Sequence, residues 1–411
     1  MVVCAPGPTR AQPLADAVAG QTALQPPPVP SRGPGFDLAE HPRLVFGRAL
    51  TLDFQGKLDF DGMAFPIDER GHPSYEVARH RLGVSATLFD RLSFELESEL
   101  VGDHPWRDVV LTAQVTESLA VRAGKFKVPF SLAQTTSSLK LDFVHRPLAA
   151  EALAPGRQVG VTVEGALLSN GLRYQGGVFR EGEEEWDDGP MAAARLVARP
   201  FRHRVEGLDA LSFGVAATHG ERPQGLTSVA GRTFTDRLWF FPEVYVNGRR
   251  LRTGYELAWS GGPITLAGEY MRVADERRDQ GLRGEDLPDL VAHGWYVSGT
   301  WMMVGSRRAD RLPLAPAPLV GDVGGLELAL RFEGLRFSSD AAAEPAFRNP
   351  RAAHVLGNAD VAMTLGVNWF FSRFGRLQGN LIGERVTDAF RSPVGSADRF
   401  WSTVARLQLH F

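Results

Sequence analysis

The stretch Arg250-Leu251-Arg252-Thr253-Gly254-Tyr255-Glu256-Leu257-Ala258-Trp259 sorts its side chains with a period of two. Leu251, Thr253, Tyr255, Leu257 and Trp259 fall on one face. Arg250, Arg252, Gly254, Glu256 and Ala258 fall on the other. A helix would scatter these types around its circumference, whereas a strand keeps them apart. The segment therefore reads as a strand with one apolar and one charged face.

The same alternation runs through the chain from residue 43 to the end. At 91–100, Leu92, Phe94, Leu96 and Leu100 oppose Ser93, Glu95, Glu97 and Glu99. At 326–333, Leu326, Leu328, Leu330 and Phe332 oppose Glu327, Ala329, Arg331 and Glu333. At 361–371 the apolar face is Val361, Met363, Leu365, Val367, Trp369 and Phe371. The first strand is longer, with Leu44, Phe46, Leu50, Leu52, Phe54, Leu58 and Phe60 in phase and Arg48 breaking the pattern. About sixteen strands follow: 43–60, 79–89, 91–101, 108–116, 118–127, 159–168, 171–180, 191–200, 208–219, 249–260, 263–273, 292–304, 324–337, 360–371, 375–387 and 400–411. Strands of about 9–11 residues suit a tilted crossing of a bilayer.

Connections alternate between short and long. Asp90, Glu117-Ser118, Ser169-Asn170-Gly171, Gly261-Gly262 and Ser372-Arg373-Phe374 are short. The long ones are 61–78, 128–158, 181–190, 220–248, 274–291, 338–359 and 388–399. Short turns at one end and long loops at the other are the signature of an outer-membrane barrel. The segment 305–323 departs from it, being long where a short turn is expected. The acidic run Glu181-Gly182-Glu183-Glu184-Glu185-Trp186-Asp187-Asp188 falls in a long loop and reads as solvated, with a divalent-cation contact as the sharper alternative.

Composition agrees. The 411 residues carry 45 basic and 48 acidic side chains, a net charge of −3, which is no nucleic-acid footprint. Mean hydropathy is −0.14, and no apolar run is long enough for a membrane helix. Barrel strands alternate lipid-facing and lumen-facing residues, so a value near zero is what they give. The single cysteine, Cys4, permits no internal disulfide, and with only Met1-Val2-Val3 before it lacks the apolar core of a lipidation signal. Residues 1–42 read as a Pro-rich leader, either disordered or the remnant of a targeting segment; Pro26-Pro27-Pro28-Val29-Pro30 favours extended chain. Residues 43–411 read as one barrel.

Three features place that barrel in a membrane. About sixteen strands leave a wet channel rather than a side-chain core. Tyr255, Trp259, Trp295, Trp369, Phe371 and Trp401 sit near strand ends on the apolar face, where interfacial girdles lie. The last strand closes as Leu407-Gln408-Leu409-His410-Phe411, which resembles the recognition signal of bacterial outer-membrane proteins. The expected location is the bacterial outer membrane, with lipid and lipopolysaccharide as surroundings.

At 124–132, Gly-Lys-Phe-Lys-Val-Pro-Phe-Ser-Leu resembles the phosphate-selective porin O and P family, in which this block precedes a long third loop. The loop continues through Thr136-Ser137-Ser138 to Ala154-Pro155-Gly156-Arg157-Gln158-Val159-Gly160, where Gln158 replaces the usual Asp. Further blocks agree in order: 254–259, 294–301, 325–332 and 365–369. The resemblance spans about 43–411. It implies a sixteen-stranded antiparallel barrel, a trimer, and a third loop folded into the lumen.

The function expected is passive diffusion of small solutes, anions such as phosphate or polyphosphate foremost. Rows of cations hand an anion on through charge-assisted hydrogen bonds, and Arg suits bidentate oxyanion contact. Candidates around loop three are Lys125, Lys127, Lys140, Arg146 and Arg157; around loop five they are Arg232, Arg237, Arg249, Arg250 and Arg252. Strand phase puts Arg250 and Arg252 in the lumen. Against them, Glu95, Glu97, Glu99 and Glu256 share the polar face, so a general diffusion channel without anion preference stays open. A barrel enzyme would need a Ser–His or Asp–His pair at the rim, and none of the ten histidines sits in a recognisable nucleophile motif. No cofactor and no metal is expected.

Overall fold

The computed structural model describes residues 35–37, 42–47, 49–64, 74–102, 105–180, 189–235, 237–305, 324–340, 355–372, 374–392, 395 and 397–411. Most of the leader, Arg48, the acidic run 181–188 and the segment 306–323 lie outside the described residues.

Sixteen antiparallel strands form the wall. They are β1 Leu50–Ala64, β2 Ser74–Leu88, β3 Leu92–Glu99, β4 Trp106–Thr116, β5 Leu119–Lys127 and β6 Arg157–Leu167. Next come β7 Leu172–Arg180, β8 Pro190–Ala198, β9 Ser212–Leu226, β10 Tyr245–Gly261 and β11 Ile264–Arg277. The last are β12 Leu287–Val304, β13 Gly325–Ser339, β14 Asn358–Ser372, β15 Gly375–Val386 and β16 Arg399–His410. Each strand pairs with its chain neighbours, and β16 pairs with β1 from Thr403↔Ala64 to His410↔Lys57, which closes the barrel. Closure satisfies the backbone groups of every strand, the condition for a sheet to stand in lipid.

The predicted faces are the observed ones. Leu251, Tyr255, Leu257, Trp295, Val297, Trp301, Leu365, Val367 and Trp401 are all exposed on the outer wall, while Arg250, Arg252 and Glu333 are buried within. An apolar exterior around a charged interior inverts the soluble arrangement and fits a lipid surround.

One strand departs from expectation. The span read as a single strand from 43 to 60 reverses after Phe46, and Arg43–Phe46 folds back antiparallel on Leu50–Asp53. The phase break at position 48 marks this reversal. Gly35–Asp37 then pairs with Arg43–Val45. This hairpin lies on the same edge of β1 as β16, beyond the point where β16 ends; Phe411 and Gly56 exchange backbone hydrogen bonds of 3.1 and 3.2 Å at the junction.

Candidate functional site

Loop three, residues 128–156 between β5 and β6, turns into the lumen. Its first helix, α1 (Leu132–Thr135), is capped by Ser131, whose hydroxyl accepts from the Gln134 amide. The Leu132 and Ala133 amides donate to the Glu269 carboxylate of β11 at 2.9 and 2.7 Å. The Ser131 and Tyr296 hydroxyls donate to it at 3.2 and 2.8 Å. Its second helix, α2 (Leu148–Ala152), presents the Leu148 amide to Glu333 of β13 at 2.6 Å. Arg331 Nε donates to the same carboxylate at 2.6 Å. A buried carboxylate is costly unless its oxygens accept several donors, and a loop's free amides supply them.

Between the helices the strands reach inward to the loop's backbone. The Val144 amide donates to Asn380, and Asn368 donates to the Asp142 carbonyl. Arg376, Arg331 and Arg406 donate to the Leu141, His145 and Val144 carbonyls at 2.8, 2.9 and 3.0 Å. Close packing needs bare wall at two points. Phe130 stands over Gly254, and Ala149 stands over Gly294, where an added Cβ would lie 2.6 Å from the Ala149 Cβ.

Loop five, residues 227–244 between β9 and β10, also enters the lumen, which the sequence did not indicate. The Phe234 and Thr235 amides and the Thr235 hydroxyl donate to Glu384 at 2.7, 3.0 and 2.6 Å. The Val229 amide donates to Asp275 at 3.1 Å. Phe241 stacks on Phe337 at 4.3 Å between centroids. Loops three and five together with the inner faces of β10–β16 build one buried apolar cluster, including Phe130, Leu148, Leu153, Phe234, Phe240, Met271, Leu335 and Phe337.

The ten candidate cations separate into groups. Arg232, Arg237, Arg250 and Arg252 converge on a cavity of about 300 Å³ between loop three, loop five and β10, which Glu151, Glu243 and His145 also line. Arg250 is bound there by Asp275, Nε and Nη2 donating at 2.5 and 2.7 Å. Arg252 donates to the Leu153 carbonyl at 3.1 Å, and Arg237 lies 3.7 Å from Glu151. Arg232 stacks over Trp239 at 3.7 Å. Burial, reinforced by Arg406, Arg237 and Arg331, pushes the His145 imidazole well below its usual range, so it stays neutral at neutral pH.

Lys127, Arg146, Arg157 and Lys140 gather around the first half of loop three. Lys127 Nζ donates to the Thr136 carbonyl at 3.0 Å, and Arg146 donates to the Thr136 and Ala133 carbonyls, the first at 2.8 Å. Burial, with Arg79 beside it, lowers Arg146 to about 10, which leaves it charged at neutral pH. Arg157 grips Asp108, with Nη2 at 2.6 Å. Lys140 borders a small cleft with Thr136, Asp142 and Arg331. Two candidates do not reach the lumen. Lys125 pairs with Val109 and Val159, which sets it on the outer face with the exposed Val159. Arg249 shares the outward phase of Leu251 and is tied to Glu276 at the rim.

Several further charged residues reach the lumen. Lys57 of β1 donates to the Ser138 hydroxyl at 2.9 Å. Arg79 meets Asp59 at 2.6 Å, and Arg81 pairs with Glu97 and Glu99. Arg406 pairs with Asp61, and Arg195 holds Glu256 at 2.8 Å. The period-two phase of β1 and β2 carries the signal for Lys57, Arg79 and Arg81, because Leu58, Phe60 and Leu82 face outward between them. Of Glu95, Glu97, Glu99 and Glu256, which count against an anion path, the last three are each consumed in an ion pair, while Glu95 lines a small cleft with Asp108, Arg122 and Lys127.

A model of the phosphate-selective porin O and P family matches residues 50–411. No curated protein matches the chain by sequence. Among solved structures, the trimer form of OmpT from Vibrio cholerae superposes with a TM-score of 0.57 at 14% identity, covering 88% of this chain and 100% of that one. The anion-selective porin from Comamonas acidovorans gives 0.56 at 16%, with 88% and 100% covered. The outer-membrane channel DcaP of Acinetobacter baumannii gives 0.57 at 10%, with 88% and 98% covered. These likenesses show the barrel fold.

Proposed function

Because the chain belongs to the phosphate-selective porin O and P family of bacterial outer-membrane barrels, we propose that its loop-constricted lumen conducts small anions, phosphate and polyphosphate among them. The observation that carries this reading is how Lys57, Lys127, Arg146 and Arg376 are held. Their partners are carbonyls, a hydroxyl and an amide oxygen rather than carboxylates. A neutral acceptor fixes the side chain but leaves its charge, whereas a carboxylate cancels it. All four surround residues 133–141 of loop three, and the guanidiniums of Arg146 and Arg376, charged at neutral pH, keep the field there positive although the whole chain is slightly acidic.

The path runs between loop three and the wall of β1–β6. Loop three hangs mainly from the opposite wall; Lys57 and Lys127 reach its backbone and Ser138 from the β1–β6 side, and Arg79, Arg81, Arg122 and Arg157 line that side beside them. The cavity bounded by Arg232, Arg237, Arg250 and Arg252 forms a vestibule on the long-loop side. Assembly as a homotrimer follows the family and the trimer form of OmpT. Ion pairing of most lumen arginines favours a second reading, a general diffusion porin with weak preference.

Single-channel recording of the refolded protein in a chloride gradient separates the two. The expected outcome is a reversal potential of anion-preferring sign and a chloride current reduced by added phosphate. An ohmic current indifferent to phosphate, with no reversal-potential bias, leaves the general porin standing.

A further inference from the structure

The outer wall carries a row of charge that the lumen does not use. Arg272 of β11, His293 of β12 and Arg336 of β13 are direct register partners across three neighbouring strands. All three point outward: Arg272 in phase with the exposed Tyr270, His293 with Trp295, and Arg336 with Phe332. One pair nearer the barrel's middle runs an aromatic row, Tyr255–Tyr270–Trp295, again in register. Gly334 beside Trp295 has no Cβ, and one there would stand 2.9 Å from the indole nitrogen. The Tyr270 hydroxyl and His293 Nδ1 lie 2.6 Å apart.

Position along the strand gives the row its depth. On β12 the exposed Trp301 and Trp295 bracket Val297 and Gly299. Counted on to the exposed Met303, eight residues of strand span about 26 Å, which a tilt of about 40° turns into about 20 Å of height, most of the apolar band of such barrels. The basic row begins one pair, about 7 Å of strand, beyond the long-loop-side girdle, at headgroup level.

The charge is not cancelled from within. No carboxylate among the described residues pairs with Arg272 or Arg336. The next row outward is Ala274, Val291 and Ser338, and only the row after it is acidic, with Glu276, Asp289 and Asp340. Glu276 is already engaged by Arg249 and Arg278. Two guanidiniums without counter-charge at the edge of hydrocarbon are costly unless an anion reaches them from outside.

We propose that Arg272, His293 and Arg336 form a docking site for the phosphate of an outer-leaflet phosphoglycolipid, whose acyl chains lie on the apolar wall below Tyr255, Tyr270 and Trp295. Neighbouring strands lie about 4.8 Å apart, so the two arginines start about 10 Å apart and their long side chains converge on one phosphate. When the Tyr270 hydroxyl donates to Nδ1, the His293 proton sits on Nε2 and supplies a third donor.

The test uses the full-length protein in detergent, with lipid A bearing its phosphates as probe and dephosphorylated lipid A of the same acyl composition as comparison. Lipid retained is counted by native mass spectrometry. The double variant Arg272→Gln/Arg336→Gln is expected to retain roughly tenfold less phosphorylated lipid. Wild type is expected to hold the dephosphorylated lipid no better than the variant does, and millimolar inorganic phosphate should not displace the bound lipid. Unchanged single-channel conductance certifies that the variant is folded. Should the double variant fail to fold, the exposed single change Arg336→Gln gives the same reading with a smaller loss. Equal retention by variant and wild type, or equal binding of both lipids, overturns the proposal. Displacement by inorganic phosphate overturns it in favour of a free-ion site.

Discussion

Strands β10–β15 and strands β1–β6 enclose the same lumen, yet their inward carboxylates serve different ends. On the first side, Glu269, Glu333, Glu384 and Asp275 accept amides from loops three and five, Glu333 and Asp275 alongside the guanidiniums of Arg331 and Arg250, and apolar side chains fill the remaining space. On the second, Asp59, Glu99 and Asp108 pair with Arg79, Arg81 and Arg157 on other wall strands. A buried carboxylate whose partner is a loop amide is a fastening. One paired with a wall guanidinium and with no loop amide is part of a polar lining. The difference predicts that damage on the first side moves loops, while damage on the second changes which ions pass.

The sharpest way to break this contrast is Glu269→Ala. It strands two buried amides and two hydroxyls, each at about 1–3 kcal/mol. Loop three should leave its seat, with a severalfold change in single-channel conductance and a lower thermal unfolding temperature. Conductance like wild type would mean that the remaining tethers hold the loop and that Glu269 is no fastening.

A milder probe of the same side is Gly294→Val. The new side chain meets Ala149 of α2, and overpacking of this kind costs about 1–3 kcal/mol. Unfolding temperature should fall, whereas Gly379→Val, at a position with open space around it, should leave it unchanged. Equal behaviour of the two would show that loop three does not press on the wall there.

On the second side, Lys57→Met combined with Lys127→Met should move the reversal potential toward zero with little loss of stability. A large drop in unfolding temperature instead would make these lysines fastenings too and blur the comparison. The smallest effect is expected at the rim. Arg249→Ala removes an exposed, solvent-screened ion pair with Glu276, so conductance and unfolding should match wild type.

How much of this was legible in the sequence follows from what a period of two encodes. It assigns each side chain to a face, so the sixteen strands and the lumen positions of Arg250 and Arg252 could be read directly. It does not encode register. That Arg250 would meet Asp275, or Arg157 meet Asp108, depends on how adjacent strands slide, and on loop returns no local pattern reports. Loop five was invisible for the same reason: its anchor, Glu384, lies 149 residues from Thr235. Lys57, Arg79 and Arg81 are in phase with the lumen face, but nothing in their own strands marks them as neighbours of loop three, which they meet only through the fold. The departure at 43–60 shows the converse, since a hairpin that folds back on its own strand keeps the alternation and hides in it.

That hairpin bears on how the cylinder seals. β16 meets β1 only from Lys57 onward, so Leu50–Asp53 would present a raw edge at the turn end of the seam. Arg43–Phe46 occupies that edge instead. A seam with one strand of mismatched length can ratchet by two residues without turning any side chain to the wrong face. The hairpin blocks the vacant slots into which such a slip would run, and so acts as a key that lets the lock close in one position only.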